Sequence, residues 1–172
     1  MGSHADRYAE RSKLVGQWVA REGYHLLTGA GDGVMSAVSQ AFAEVADRAG
    51  RVIGIVPSVP DNSRRRPLLG YPNPWVEIPI FTHLSVGAPA GDDPGSRNHI
   101  NVLTSSAIIL LPGGDGTASE GRLAHRYGTP CVGFLESRDE VPLLPEAIPV
   151  ERDFSNVIEF ITRILGPSAR ID

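Results

Sequence analysis

Cysteine and lysine each occur once in the 172 residues, as Cys131 and Lys13. A single cysteine excludes an internal disulfide framework and a multi-cysteine metal site. Cys131 lies in the apolar run Pro130 to Phe134, which suits a buried structural thiol. The scarcity of lysine beside many arginines fits the base composition of a genome. The net charge is −4, so no basic excess points to nucleic acid. His83 and His125 have no partner at metal-ligand spacing, so no metal site is expected. No apolar run is long enough to span a membrane and no signal peptide is visible, so the expected location is a reducing cytoplasm. Internal repeats and low-complexity tracts are absent as well. What remains is an ordinary globular composition, 41% apolar and 21% charged, in a length that suits one domain over 1–172 with a sizeable core.

Helical and strand patterns alternate along the chain. Asp6 to Arg21 predicts an amphipathic helix with Leu14, Val15, Trp18 and Val19 on its inner face. Tyr24 to Thr28 predicts a short strand, Val34 to Arg48 a helix ended by Gly50, and Val52 to Val56 a strand ended by Pro57. Ser58 to Asn73 reads as a loop, in which Arg64-Arg65-Arg66 is either a solvated run or a second anion contact. Trp75 to Phe81 predicts a strand whose Pro79 marks an edge or an irregularity. Thr82 to Gly95 reads as a polar loop, and Ser96 to Thr104 as a short helix with Ser96 as N-cap. The run Ala107 to Leu111 predicts a buried parallel strand. Ala118 to Tyr127 predicts a helix, Cys131 to Leu135 a strand, and Phe154 to Leu165 a last helix ended by Gly166-Pro167. Strand–helix–strand units need parallel strands. The expected class is therefore α/β, a Rossmann-like, doubly wound, mostly parallel sheet.

Two glycine turns each follow a strand and open a helix. The first is Thr28-Gly29-Ala30-Gly31-Asp32-Gly33, ahead of Val34-Met35. The second is Pro112-Gly113-Gly114-Asp115-Gly116-Thr117, ahead of Ala118-Ser119-Glu120. Glycines at a helix start let the backbone approach an anion, and free N–H groups point at it. Alone, Gly29, Gly31 and Gly33 fit a tight turn that needs positive φ equally well. Paired with Gly113, Gly114 and Gly116 at strand C-termini, they suit a ligand crevice. Thr117 adds a hydroxyl donor. The spacing is not G-x-G-x-x-G, which disfavours NAD. Asp32 and Asp115 suit Asx turns, and no magnesium ligand set is evident. Glu120 is either a first-turn acid on the helix dipole or a carboxylate placed for chemistry. Arg97 is either a surface ion-pair partner or a fork that meets an anion. His99 reads as a packing or capping residue, and Met35 and Trp18 read as core.

The stretch Pro112 to Glu120 resembles the Pro-Gly-Gly-x-Gly-Thr-x-x-Glu signature of the LOG ("lonely guy") family, also described as lysine decarboxylase-like. Arg97 in Ser96-Arg97-Asn98-His99 matches the upstream arginine of that family, and Gly33-Val34-Met35 matches a third motif. The resemblance runs from Ala5 to Phe134. Cytokinin-activating members carry Arg-Lys and an additional Glu; this chain has Asn98 and Ser119 there, and its first glycine turn is one residue tighter. These departures resemble the branch that includes molybdenum cofactor carrier proteins. The family's opening strand is missing from the pattern, and Met1-Gly2-Ser3-His4 reads as a remnant of its turn or as an expression scar.

The resemblance implies one of two activities. A nucleoside 5′-monophosphate phosphoribohydrolase would cleave the C1′–N bond and release base and ribose 5-phosphate. There Glu120 would stabilise the oxocarbenium-like ribose or activate water, Arg97 would orient the substrate, and Gly113, Gly114, Gly116 and Thr117 would hold the phosphate. A non-catalytic carrier would use the same turns to bind molybdenum cofactor or another phosphorylated ligand. Asn98 and Ser119 favour the carrier; the presence of both Arg97 and Glu120 favours the enzyme. Tyr71, Asn73 and Trp75 are candidates to line a base or pterin pocket, although Trp75 reads more simply as core. Neither activity requires a metal or redox cofactor. Lysine decarboxylation would need pyridoxal phosphate on a Schiff-base lysine, and Lys13 lies outside every pocket motif. The family also implies a homodimer or a higher homo-oligomer.

Overall fold

The structure, a computed structural model, describes residues 3–60, 65–84 and 91–166. Helix α1 (Ser3–Arg21) leads to β1 (Leu26–Thr28), α2 (Val34–Ala43), β2 (Val52–Pro60), β3 (Arg65–Pro67) and β4 (Ile78–Thr82). Helix α3 (Asn98–Thr104), β5 (Ile108–Leu110), α4 (Asp115–Tyr127) and β6 (Cys131–Phe134) follow, then a 3-10 turn (Arg138–Glu140), β7 (Val150–Glu151) and α5 (Phe154–Leu165). The chain divides into two compact units, one carrying α1 to β4 and the other α3 to α5. The class is α/β with mostly parallel sheets, as the alternating pattern requires. Ser3 and His4 belong to α1; Met1 and Gly2 lie outside the described residues.

In the first unit β2 is central. It pairs in parallel with β1, from Leu26↔Val52 to Thr28↔Gly54, and with β4, from Ile53↔Ile78 to Pro57↔Thr82. The expected end at Pro57 is not an end. Pro57 has no N–H to give, but its carbonyl accepts from Leu68 N, and β2 runs on to pair antiparallel with β3, Ser58↔Pro67. Arg66 thus sits in a strand rather than in the expected loop; Arg64 lies outside the described residues. Strand β4 begins at Ile78, so Trp75 is a half-buried turn residue and not the first residue of a strand. Among the described residues β4 pairs with β2 only, which suits its Pro79.

Helices α1 and α2 pack through a glycine. A Cβ on Gly16 would run into the Val38 carbonyl and lie 2.9 Å from Ala41 Cβ and from Phe42 N. The buried stripe of α1 is therefore Arg11, Ser12, Val15, Gly16, Val19 and Ala20. Leu14, expected inside, is 40% exposed, because the stripe is centred where the backbones approach. Trp18 is half-buried and meets Tyr24 edge-on, with ring centroids 6.0 Å apart. Helix α2 ends at Ala43 instead of Arg48, and in the turn that follows Asp47 takes a left-handed φ of 55°. Gly50 is required by packing: its Cβ would collide with the Tyr24 carbonyl.

In the second unit β6 is central, parallel to β5 (Ile108↔Cys131) and β7 (Gly133↔Val150). Its four residues are all buried. Val102, Leu110, Leu123, Leu135, Val141 and Ile148 surround it as an apolar cluster. Helix α5 matches the expected span. Asp153 caps it by accepting from Ser155 N at 2.9 Å, and Gly166 ends it at φ 76°. Among the described residues no helix is long and apolar enough to cross a membrane.

Gly16→Ala tests the α1–α2 contact. On helix propensity alone it would stabilise by about 1 kcal/mol. Overpacking against Ala41 and Phe42 should instead lower stability by about 1–3 kcal/mol, read as a fall in the urea midpoint with unchanged slope.

Candidate functional site

The second glycine turn becomes helix sooner than expected. Helix α4 starts at Asp115, so Gly116 and Thr117 lie in its first turn and Gly114 is its N-cap residue. The first helical bond is Ala118 N to Gly114 O at 3.0 Å. The N–H groups of Asp115, Gly116 and Thr117 precede it and have no acceptor among the described residues, the ordinary condition of a helix start. No side chain caps this end. Asp115 is therefore a first-turn acid and makes no Asx turn.

The three glycines here differ in purpose, and none has positive φ. A Cβ on Gly113 would strike Thr117 Oγ1, so Gly113 is fixed by the fold. Its N–H is also committed, donating to Glu140 O at 3.1 Å, and so does not join an anion cradle. A Cβ on Gly114 or on Gly116 would meet no atom within 4 Å. Neither a positive φ nor a packing contact accounts for glycine there. Open space lies beside the unpaired donors, which is what an incoming anion needs.

Behind this turn stands Glu120. The Asn101 amide donates to its Oε1 at 2.9 Å. Although Glu120 keeps some exposed surface, its carboxyl is enclosed, and burial pushes its pKa above the ordinary value. The Asn101 donor and the Arg97 charge pull the other way without cancelling the burial effect. Arg97 and Glu120 are thus within electrostatic reach of each other. Arg97 is the N-cap residue of α3, and Ser96 caps from one position earlier, its Oγ accepting from Asn98 N at 3.2 Å. Helix α3 accordingly begins at Asn98 and not at Ser96. On the floor, Cys131 is buried and its thiol is pushed up to about 12, by burial first and by the Glu120 charge second.

The two departures from the cytokinin-activating pattern touch each other. Asn98 Nδ2 donates to Ser119 Oγ at 2.6 Å, and Ser119 Oγ donates to Gly116 O at 2.8 Å. A neutral, buried chain of hydrogen bonds ties α3 to the first turn of α4. Gly91 packs on both partners, where a Cβ would collide with Ser119. A latch holds the segment before Arg97. Arg122 grips Asp92 through two bonds of 2.7 and 3.0 Å, which depresses the Asp92 pKa. His99 Nε2 donates to the Asp93 carbonyl at 3.0 Å, and its Nδ1 meets Tyr127 Oη at 2.6 Å. His99 has the packing role expected for it. Asn101, Asp92, Arg122 and the Glu140 carbonyl were not visible as site residues in sequence. Only the i, i+4 spacing of Arg97 and Asn101 gave a signal.

The first glycine turn sits in the first unit, apart in sequence, and is described by itself. Gly29 and Gly31 are buried. Only Gly33 has positive φ, 68°, as N-cap residue of α2, and a Cβ there would meet nothing within 4 Å. The other left-handed position is Ala30, at φ 63° and fully buried, held by its N–H to Thr28 Oγ1 and its carbonyl to Asn73 N. Asn73 Nδ2 also donates to Gly31 O at 2.9 Å. A Cβ on Gly31 would lie 2.6 Å from Met35 Cε and 3.0 Å from the Tyr71 ring, so Met35 folds back over the turn instead of entering the core. Asn73 is a structural tie, not a pocket wall. Among the described residues no group of His, Cys, Asp and Glu could hold a metal ion.

A family model described as SLOG cluster4 matches residues 1–153. No curated protein matches. Among solved structures, the molybdenum cofactor binding protein of Rippkaea orientalis is 29% identical, with a TM-score of 0.65 over 91% of this chain and 87% of that one. The molybdenum cofactor carrier protein of Chlamydomonas reinhardtii is 26% identical, with a TM-score of 0.65 over 93% and 89%. TM1055, at 21% identity and a TM-score of 0.67 over 94% and 91%, shares the fold.

The enclosed carboxylate predicts a pH-dependent cost. A carboxyl with raised folded-state pKa binds more protons in the native state, so stability falls as pH rises above the ordinary carboxylate range. Glu120→Gln should raise Tm at pH 8 by roughly 2–4 °C. The gain should vanish near pH 4, where the wild-type carboxyl is protonated in both states.

Proposed function

The chain belongs to the SLOG cluster4 family, a LOG-like family, and from that premise we propose that it binds a phosphorylated ligand of the molybdopterin type at the N-terminus of α4 without turning it over. The observation that carries the reading is the unpaired first-turn donors of α4 beside two glycines whose Cβ positions face open space. The terminal phosphate of the ligand would take the N–H groups of Asp115, Gly116 and Thr117, with the Thr117 hydroxyl as a further donor. Arg97 would supply a nearby cation. In the other unit, the turn of Gly29, Gly31 and Gly33 repeats the local pattern of strand end and glycine N-cap, with open space at Gly33, and is proposed as an anion contact in its own right.

Two observations support a carrier. Solved structures of similar sequence are described as molybdenum cofactor binding and carrier proteins. The Asn98–Ser119 contact is neutral where cytokinin-activating relatives carry ionisable groups. One observation favours hydrolysis of nucleoside 5′-monophosphates as a second reading. Glu120 is an enclosed carboxyl with a raised pKa beside an arginine, a combination that suits acid–base work. In either case the protein would act in the cytoplasm as a homodimer or larger homo-oligomer, which sedimentation can check.

Gly114→Val should weaken binding of molybdenum cofactor at least tenfold, because the added side chain fills the open space, while the loss of a glycine N-cap lowers Tm only modestly and leaves the protein folded. Arg97→Ala should weaken binding about tenfold to hundredfold. Glu120→Gln separates the two readings. A carrier should keep or slightly improve its affinity, while a hydrolase should lose roughly a hundredfold or more in turnover. Release of free base from a panel of nucleoside monophosphates by wild type would replace the carrier reading with the enzyme.

A further inference from the structure

Asn101 is buried to 5% exposure on α3, four residues after Arg97, and so shares a helix face with it. Its side chain has one polar contact, from Nδ2 to Glu120 Oε1 at 2.9 Å. Its Oδ1 is enclosed and has no hydrogen-bond partner. A buried amide with an unmet acceptor carries a desolvation penalty that an apolar side chain of similar volume avoids. Packing therefore gives no reason for an asparagine here. Its donor end gives one, because it anchors a carboxylate that burial disfavours.

We propose that Asn101 is the positioning residue of the α4 site: by binding Oε1 of Glu120 it reserves Oε2 for a hydrogen-bond donor carried by the ligand next to its phosphate. The inference rests on the reading that the α4 N-terminus takes a phosphorylated ligand. Oε2 accepts no hydrogen bond from the described residues. A carboxylate near an anion site repels a bare phosphate. A ligand that presents a hydroxyl or amino group beside its phosphate turns that repulsion into a charge-assisted hydrogen bond. With Oε1 held, the carboxylate cannot turn away, so the site selects phosphomonoesters with a neighbouring donor over plain ones. The groups facing Glu120 are Arg97 at the start of α3, Asn101 on α3 and the Cys131 thiol on β6. On α4 itself, Asp115 and Arg122 are the nearby charges, with Asp92 paired to Arg122.

The test uses the full chain and two probes of equal carbon number, glycerol 3-phosphate and propyl phosphate. Wild type should prefer the hydroxylated probe by about tenfold, the worth of one charge-assisted hydrogen bond. Asn101→Leu and Glu120→Gln should both lose the preference. The Glu120 carboxyl is followed separately by its 13C shift against pH. Loss of the Asn101 donor disfavours the ionised form, so the midpoint should rise by about one pH unit. Asn101→Ala serves as a second variant if Asn101→Leu does not fold. An unmoved midpoint, or an unchanged probe preference in a folded variant, overturns the proposal. If neither phosphate binds to wild type, the phosphate reading of the α4 site fails, and the carboxyl titration still decides whether Asn101 positions Glu120.

Discussion

The Glu120 carboxylate, enclosed one helical turn inside a helix start that attracts anions, sets the terms for the residues around it. Burial pushes its pKa above the ordinary carboxylate value. Two groups oppose that, the Asn101 amide and the Arg97 charge, and both come from α3. Holding them in place requires α3 to be fixed against α4. The Asn98–Ser119 bond does this at the level of the first turn. The Asp92–Arg122 pair and His99 secure the segment leading into Arg97. A half-exposed ion pair of this sort adds little stability by itself. Its bidentate geometry serves better to fix the loop that carries the arginine.

Glycines carry the argument about function once they are sorted by what surrounds them. Gly16, Gly50 and Gly113 are glycine because a Cβ would strike a neighbour. Gly33 is glycine because its φ is 68°. Gly114 and Gly116 satisfy neither condition, and they flank the unpaired donors of α4. Ala30, a buried non-glycine at φ 63° held by two polar ties, to Thr28 and Asn73, is local strain of the kind found near working sites.

The choice between carrying and cleaving a ligand turns on what the carboxylate faces. A hydrolase needs Glu120 to meet the reacting sugar in the transition state. A carrier needs only a site that is attractive to the phosphate and indifferent to the rest. Asn98 and Ser119 tie α3 to α4 through a neutral contact that places no charge between the two helices.

The sequence by itself determined the α/β class, the parallel pairing of β1 with β2 and of β5 with β6, the span of α5, and the motif set Arg97, Gly113 to Thr117 and Glu120. These follow from local rules: apolar periodicity, caps, and glycines between strand and helix. Strand ends and burial faces did not follow from such rules. β2 runs through Pro57 because the Pro57 carbonyl still accepts from Leu68 N and β3 pairs with the strand beyond it. Leu14 is outside because Gly16 centres the helix contact. Trp75 falls short of the strand because β4 starts later. The candidate site was legible as a set of residues, but the contacts among them were not. That Gly113 is committed to Glu140, that Asn98 and Ser119 are one contact, and that Asn101 holds Glu120 depend on pairs nineteen or more residues apart. Only tertiary structure decides which polar group a buried carboxylate meets, because desolvation and hydrogen bonding are set by enclosure and not by sequence spacing.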